Sequence, residues 1–258
     1  MHTPNCSSAE PGSRKAIIAL LDRAESAAAS TASTVNPASA LQGEAAALRN
    51  SQHFFACDYE RSLACAQFAL QNTPHDWGYP RMFSWLYYAV AHLAKGETAT
   101  AFDIAYRGLA DVQDLDESSQ AQMLVVLGLL YWYAGDLKSL CQAASQLLDM
   151  TTTRDLLQPM GWAYYLLGIA HYHLNDLAAA EETLGSAVSL RYQLNTLCFA
   201  HSAFALSLTQ QAAGRPGEAQ VTADSIVPYL IDLPSPDMMP IARVFLALGH
   251  GAQPASRR

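Results

Sequence analysis

Charge is scarce in this chain, and positive charge is scarcest. Only 15% of the 258 residues are charged, with 15 Lys and Arg against 23 Asp and Glu and a net charge of −8. A pI near 5.4 argues against a general nucleic-acid surface, which needs clustered Lys and Arg to neutralise phosphates, so no direct nucleic-acid binding is expected. Cysteine is sparse as well. Cys6, Cys57, Cys65, Cys141 and Cys198 are odd in number, widely scattered and form no CxxC pair, which fits a reduced, cytoplasmic compartment. No export signal is expected from residues 1–23, because the apolar run after Arg14 and Lys15 covers only 16–21 and stops at Asp22 and Arg23.

Enzyme signatures are missing too. The sequence has no GxxxxGK[ST], no GxSxG, no HExxH and no glycine-rich dinucleotide turn. His171 and His173 are two apart, about 200° around a helix, and cannot grip one ion. Glu181 and Glu182 open a helix, where carboxylates favour the dipole. No catalytic residue, metal or cofactor is therefore expected. Three stretches without charge, 118–135, 158–175 and 195–214, approach the length of a membrane span. Each contains Gln, His or Ser and ends in a helix stop, so a first helix buried between layers is the expectation, not a membrane segment.

What the chain does have is a repeat. Residues 161–192 read as two apolar helices, each of about three to four turns, divided at Asn175 and Asp176. Tyr164, Leu167, Gly168 and His171 share one face of the first helix, and Leu177, Ala180, Leu184 and Ala187 share one face of the second. Asn175 suits the left-handed residue that ends a helix, and Asp176 the N-cap that begins the next. The same grammar breaks at Cys57-Asp58, Gly96-Glu97, Gly135-Asp136, Asn175-Asp176 and Gly214-Arg215, spaced by 39, 39, 40 and 39 residues. Seven residues before the last four breaks sit the small residues Ala89, Gly128, Gly168 and Ser207, and five after them Ala101, Leu140, Ala180 and Ala219. A fixed period with small residues at the helix contacts predicts an all-α solenoid of about five stacked hairpins in a right-handed superhelix. No period-2 strand pattern competes with it.

The chain then divides into three parts. Residues 1–39 hold a polar tail, an amphipathic helix over 13–29 with Ile17, Leu20, Leu21 and Ala24 on one side, and a Ser/Thr/Pro loop over 30–39. Residues 40–233 hold the repeats, with separators at Pro74, 114–119, 151–159 and 194–196. Residues 234–258 hold one incomplete repeat helix over 238–249 and a polar tail. Ile241, Phe245 and Leu248 on that helix want a cover, so a homo-oligomer through it is expected.

First helices of stacked hairpins line the inner face of the array. The register places Phe83, Leu86 and Val90 there in one repeat, and Val125, Leu129, Trp132 and Tyr133 in the next. Trp162, Tyr165, Ile169, Tyr172 and His173 follow, then His201, Phe204, Leu208 and Gln211. Trp132, Tyr133, Trp162, Tyr165, Tyr172, His173, His201 and Phe204 are the candidate binding residues, since the Tyr, Trp and His rings, apolar with a polar tip, suit sugars, aromatic effectors or peptide side chains. Arg191 is a weaker candidate at the hairpin end. The alternative is that these rings only fill the inner curve.

Trp85, and the run Leu127-Gly128-x-x-Tyr131-x-x-x-Gly135-Asp136, resemble tetratricopeptide repeats, although the period exceeds the usual length. The longer unit, with 163–192 and 203–219, resembles the effector-sensing helical-repeat domain of MalT-like, ATP-dependent LuxR-family transcriptional activators. That resemblance spans about 41 to the C-terminus and is sharpest over 161–219. It implies a P-loop ATPase module, a repeat domain sensing a small inducer, and a helix-turn-helix. Neither outer module is in this sequence, so neither ATP hydrolysis nor operator binding is expected of it. The expected function is non-catalytic effector sensing and protein–protein interaction, with a protein or peptide partner, a small-molecule effector, or both. A general tetratricopeptide scaffold binding a peptide of another protein, unrelated to transcription, is the alternative.

Overall fold

The computed structural model of the chain describes residues 19–23, 26 and 38–231. Ten helices have defined bounds there: α1 (Ala38–Phe55), α2 (Tyr59–Asn72), α3 (Gly78–Ala94), α4 (Thr98–Val112), α5 (Glu117–Ala134), α6 (Leu137–Arg154), α7 (Leu157–His173), α8 (Leu177–Ser189), α9 (Thr196–Ala212) and α10 (Pro216–Ile231). The described residues contain no strand. None of these helices is long and apolar enough to cross a membrane. The expected helix over 238–249, with the oligomer contact assigned to it, lies outside the described residues. So does most of the helix expected over 13–29. Of that segment, 19–23 are helical, Leu21 is buried, Leu20 is exposed, and Asp22 pairs with Arg49 of α1.

Five turns set the architecture, and they share one design. Cys57, Gly96, Gly135, Asn175 and Gly214 all have positive φ, between 59° and 80°. At each, the following N–H reaches back five residues to a carbonyl, as in Asp58 to His53, Glu97 to His92, Asp136 to Tyr131, Asp176 to His171 and Arg215 to Gln210, at 2.9–3.0 Å. The turn residue itself bonds three back, as Asn175 does to Tyr172 at 3.0 Å. This is the Schellman closure, which satisfies the last carbonyls of the first helix. Asp58, Asp136 and Asp176 then cap the next helix by accepting from the N–H of Arg61, Ser139 and Ala179.

The chain forms two compact units, residues 1–130 and 131–258, with the boundary inside α5. In the first unit α1 packs on α2, α2 on α3 and α3 on α4, while α1 also touches α3. A buried polar link runs across them. The Ser62 hydroxyl donates to Asn50 Oδ1 at 2.6 Å, and Asn50 Nδ2 donates to the Ser84 carbonyl at 3.3 Å. A second link is ionic. Arg81 grips Asp111 through Nε at 2.8 Å and Nη2 at 2.9 Å, and its Nη1 donates to the carbonyls of Leu70 and Thr73. Trp85 Nε1 donates to the same carboxylate at 2.7 Å.

In the second unit α6 packs on α7, α7 on α8, α8 on α9 and α9 on α10, and α7 touches α9. The second helices bury one stripe, Leu140, Ala144, Leu147 and Thr151 in α6 and Ala180, Leu184 and Ala187 in α8. By contrast, α7 is buried nearly all round, as an inner-layer helix must be. Its small residues allow this. A Cβ built on Gly168 would lie 2.4 Å from Leu184 Cγ, and one on Gly161 would lie 2.2 Å from Leu194 Cδ2. Gly168→Ala gains helix propensity of up to about 1 kcal/mol, but the wholly buried Leu184 has nowhere to go, and overpacking costs about 1–3 kcal/mol. A net loss of stability is expected in urea unfolding, relieved when Leu184→Ala is added.

The separators differ in extent from expectation: the break at Pro74 covers 73–77 and the last covers 190–195, where 194–196 was expected. Residues 151–159 are helical except at 155 and 156. Thr151 and Thr153 lie within α6, their hydroxyls donating to the carbonyls of Leu147 and Asp149, and the helix runs on to the left-handed Asp155 with Thr151 wholly buried. Pro159 sits in the first turn of α7, where its missing N–H has no helical partner to lose. The loop expected over 114–119 is non-helical only over 113–116, since Asp116 accepts from Ser119 N–H and starts α5 early.

Candidate functional site

The rings expected on the first-helix face of the second unit do form one connected set. Trp132 and Tyr133, in the last turn of α5, have ring centroids 4.9 Å apart. Trp132 meets Tyr165 of α7 edge-on at 6.0 Å and 88°. Tyr165 in turn contacts Trp162 at 5.7 Å and His201 of α9 at 5.6 Å, and Trp162 reaches His201 at 6.2 Å. Edge-to-face pairs of this kind are the favoured arrangement of aromatic quadrupoles. At the turn end of α7, Tyr172 and His173 contact each other at 5.6 Å. Trp132 Nε1 donates to His173 Nε2 at 3.1 Å, tying the last turn of α5 to the last turn of α7.

The set has a floor and a rim. Trp162 is 7% exposed and Tyr165 2%, so both are floor. Trp132 and Tyr172 are half-buried, His173 is exposed, and Tyr133 is 64% exposed. These four are the rim. Phe204 belongs to neither. It packs on a core cluster of Phe199, Ala200, Ala203, Ala223 and Ile226 between α9 and α10. Arg191 lies beyond the far end of α8, with its guanidinium 4.6 Å from the Tyr192 ring.

Burial sets the chemistry of the floor. It raises the Tyr165 hydroxyl well above its ordinary range, with smaller contributions from Tyr133 and Cys198. It pushes the Cys198 thiol up to about 12, leaving an inert small hydrophobe. It also holds the His201 imidazole below its ordinary 6.5. Because the folded state takes up that proton less readily than the unfolded chain, the unfolded chain gains protons first as pH falls through 6.5, and the second unit loses stability. Unfolding midpoints at pH 7.5 and 5.5 check this, with a shallower slope expected in His201→Gln. Among the described residues no three His, Cys, Asp or Glu side chains are grouped to hold a metal.

The first unit carries a ring ladder that the register only partly exposes. Tyr79 stacks on Phe83 at 5.6 Å, Phe83 meets Tyr87 at 4.9 Å, and Tyr87 contacts Phe54 and Phe55 of α1 at 5.4 and 5.8 Å. Tyr79, Phe83 and Tyr87 are four apart, one helix face, and that spacing is the signal which names them. Phe83 alone among them was expected on the face.

No protein-family model matches the chain, and no curated protein matches it by sequence. Solved structures do. BtubC (BKLC) from P. vanneervenii superposes with a TM-score of 0.62 at 16% identity, over 95% of this chain and 96% of that one. The apo form of RapI gives 0.57 at 9% identity, over 81% and 59%. A kinesin light chain from P. anserina with nearly identical tetratricopeptide-like repeats gives 0.50 at 14% identity, over 81% and 96%. With the paired helices and the five turns, these likenesses show the fold: an all-α, tetratricopeptide-like array of helical hairpins.

Proposed function

We propose that the chain is a non-catalytic, tetratricopeptide-type scaffold that binds a segment of another protein on the first-helix face of its second unit. The observation that carries this reading is the rim of Trp132, Tyr133, Tyr172 and His173, held over a packed floor of Trp162, Tyr165 and His201. Rings fixed in place lose little conformational freedom on binding, so their contact area converts efficiently into affinity. A cytoplasmic setting agrees with the free thiols of Cys141 and Cys198. The effector-sensing reading, that of a MalT-like LuxR-type regulator, would place a small molecule on the same rings. It rests on the sequence likeness over 161–219, and the repeat proteins found by structure favour the scaffold instead.

The test is a thermal-shift screen of the purified chain against two libraries, one of ten-residue peptides and one of sugars, amino acids and aromatic acids. A ligand at about a hundred times its dissociation constant stabilises the folded state by roughly 2.7 kcal/mol. Peptide hits lost in Tyr133→Ala and Tyr172→Ala are expected. Hits from the small-molecule library alone would move the function to effector sensing, and peptide hits indifferent to both variants would remove this face from it.

A further inference from the structure

Two carboxylates flank the rim. Trp132 and His173 are joined by a 3.1 Å hydrogen bond, so the turn after α5 and the turn after α7 stand side by side. The residue following each left-handed position is an aspartate, Asp136 and Asp176, and both are exposed. Neither carboxylate is free to swing. Asp136 accepts from Ser139 N–H at 3.0 Å and Asp176 from Ala179 N–H at 3.2 Å. Hydrogen bonds from Ser139 also hold the Asp136 carboxyl below its ordinary value.

Positive charge is sparse in this part of the chain. Residues 131–231 contain four Lys and Arg. Arg154 ends α6, at the opposite end of that helix from Asp136. Arg191 lies against Tyr192, and Arg215 is occupied by Glu181 and Glu218. Lys138, two residues on, is near enough to act on the Asp136 charge. Aromatic faces attract cations through their quadrupole, and this protein already uses that contact, with Arg107 5.5 Å from the Trp85 ring and Arg191 4.6 Å from Tyr192. At the rim two carboxylates stand beside the rings, and Lys138 offsets part of the charge of Asp136.

Resting on the scaffold reading above, we propose that the partner segment bound at this rim is basic. A Lys or Arg side chain lays its cation against Trp132 and Tyr133, and Asp136 and Asp176 supply the counter-charge. Such recognition steers a cationic segment to an acidic chain and weakens with salt.

Calorimetric titration of the full chain with three eight-residue peptides tests this, each built on Ala and Gly with three variable positions filled by Lys, Gln or Glu. The Lys peptide is expected to bind at least about tenfold more tightly than the Gln peptide at 50 mM salt, and to lose most of that advantage at 500 mM, where screening extends over only a few ångströms. The combined Asp136→Asn and Asp176→Asn variant removes both charges while Asn still caps each helix, and should bind the Lys peptide about tenfold more weakly. Tyr133→Ala, which removes an exposed ring, should weaken it comparably. Equal binding of the Lys and Gln peptides, or unchanged binding by the double Asn variant, overturns the basic partner while leaving the scaffold in place. Loss of the Lys preference with no effect of Tyr133→Ala moves the charge recognition away from the rim and overturns it as well. If none of the three binds, the basic partner is wrong, and the peptide library above decides separately whether any segment binds.

Discussion

Tyr165→Ala is expected to destabilise the second unit by about 3–5 kcal/mol, the usual cost of emptying a buried aromatic site. Tyr165 touches rings on three helices, Trp132 in α5, Trp162 in α7 and His201 in α9, so its removal opens a cavity that no single neighbour can fill. Trp162→Ala should fall in the same range. Tyr133→Ala, by contrast, removes a side chain that is 64% exposed and should stay within about 0.5 kcal/mol. In an array whose hairpins contact only near neighbours, the damage should be local. Amide exchange in 131–231 should quicken in Tyr165→Ala while 38–130 keeps its protection. Uniform loss of protection in both regions would mean that the chain unfolds as one block, and a small effect would mean that Tyr165 is not packed as described. The contrast also bears on function, because binding lost in a floor variant reports lost structure, whereas binding lost in a rim variant reports lost contact.

The second large effect lies in the first unit. Asp111→Ala should cost about 3–5 kcal/mol, because it leaves the Arg81 guanidinium buried without its counter-charge. Their side chains are 11% and 15% exposed, and the Trp85 indole N–H would lose its acceptor too. Replacing the pair together, as Arg81→Met with Asp111→Leu, should cost far less than the two single losses summed, since no buried charge remains. Acid should act on the same network. Burial alone would raise the Asp111 carboxyl, but the hydrogen bonds from Arg81 and Trp85 and the charges of Arg81 and His75 outweigh it and hold the group below its ordinary 3.8. The unfolded chain therefore protonates first, and the contribution, complete above 3.8, is lost as pH falls below it. Denaturant midpoints of wild type and Asp111→Ala should converge in that acid range and separate above it.

Much of the fold was legible because its signals are local. A residue able to hold positive φ, a polar residue after it (Asp58, Glu97, Asp136, Asp176 or Arg215) and, in the last four, a small residue seven before mark a hairpin without reference to the rest of the chain, and all five turns fall at those positions. The Thr-rich end of α6 misled because threonine is a poor helix former on average, whereas Thr151 continues the buried stripe of that helix and packing outweighs propensity. The division of the aromatic residues into floor and rim was not legible. Register gives the face a ring leaves from, while burial depends on rings arriving from helices about forty residues away. Arg81 and Asp111, thirty residues apart, carry no sequence signal at all, since either could have stood on a solvated face.

The five turns have one more consequence. Their closing hydrogen bonds are made by backbone atoms alone, so joints built on Cys, Asn and Gly close the same way and present the same ends to whatever follows. A hairpin copied from one joint and spliced into another would meet matching partners, and the array can lengthen or shorten by whole units of 39 or 40 residues. Growth of that kind preserves the interior and alters only the order in which rings and carboxylates succeed one another along the first helices. In such a molecule, new specificity comes by shuffling segments, without redesigning a pocket.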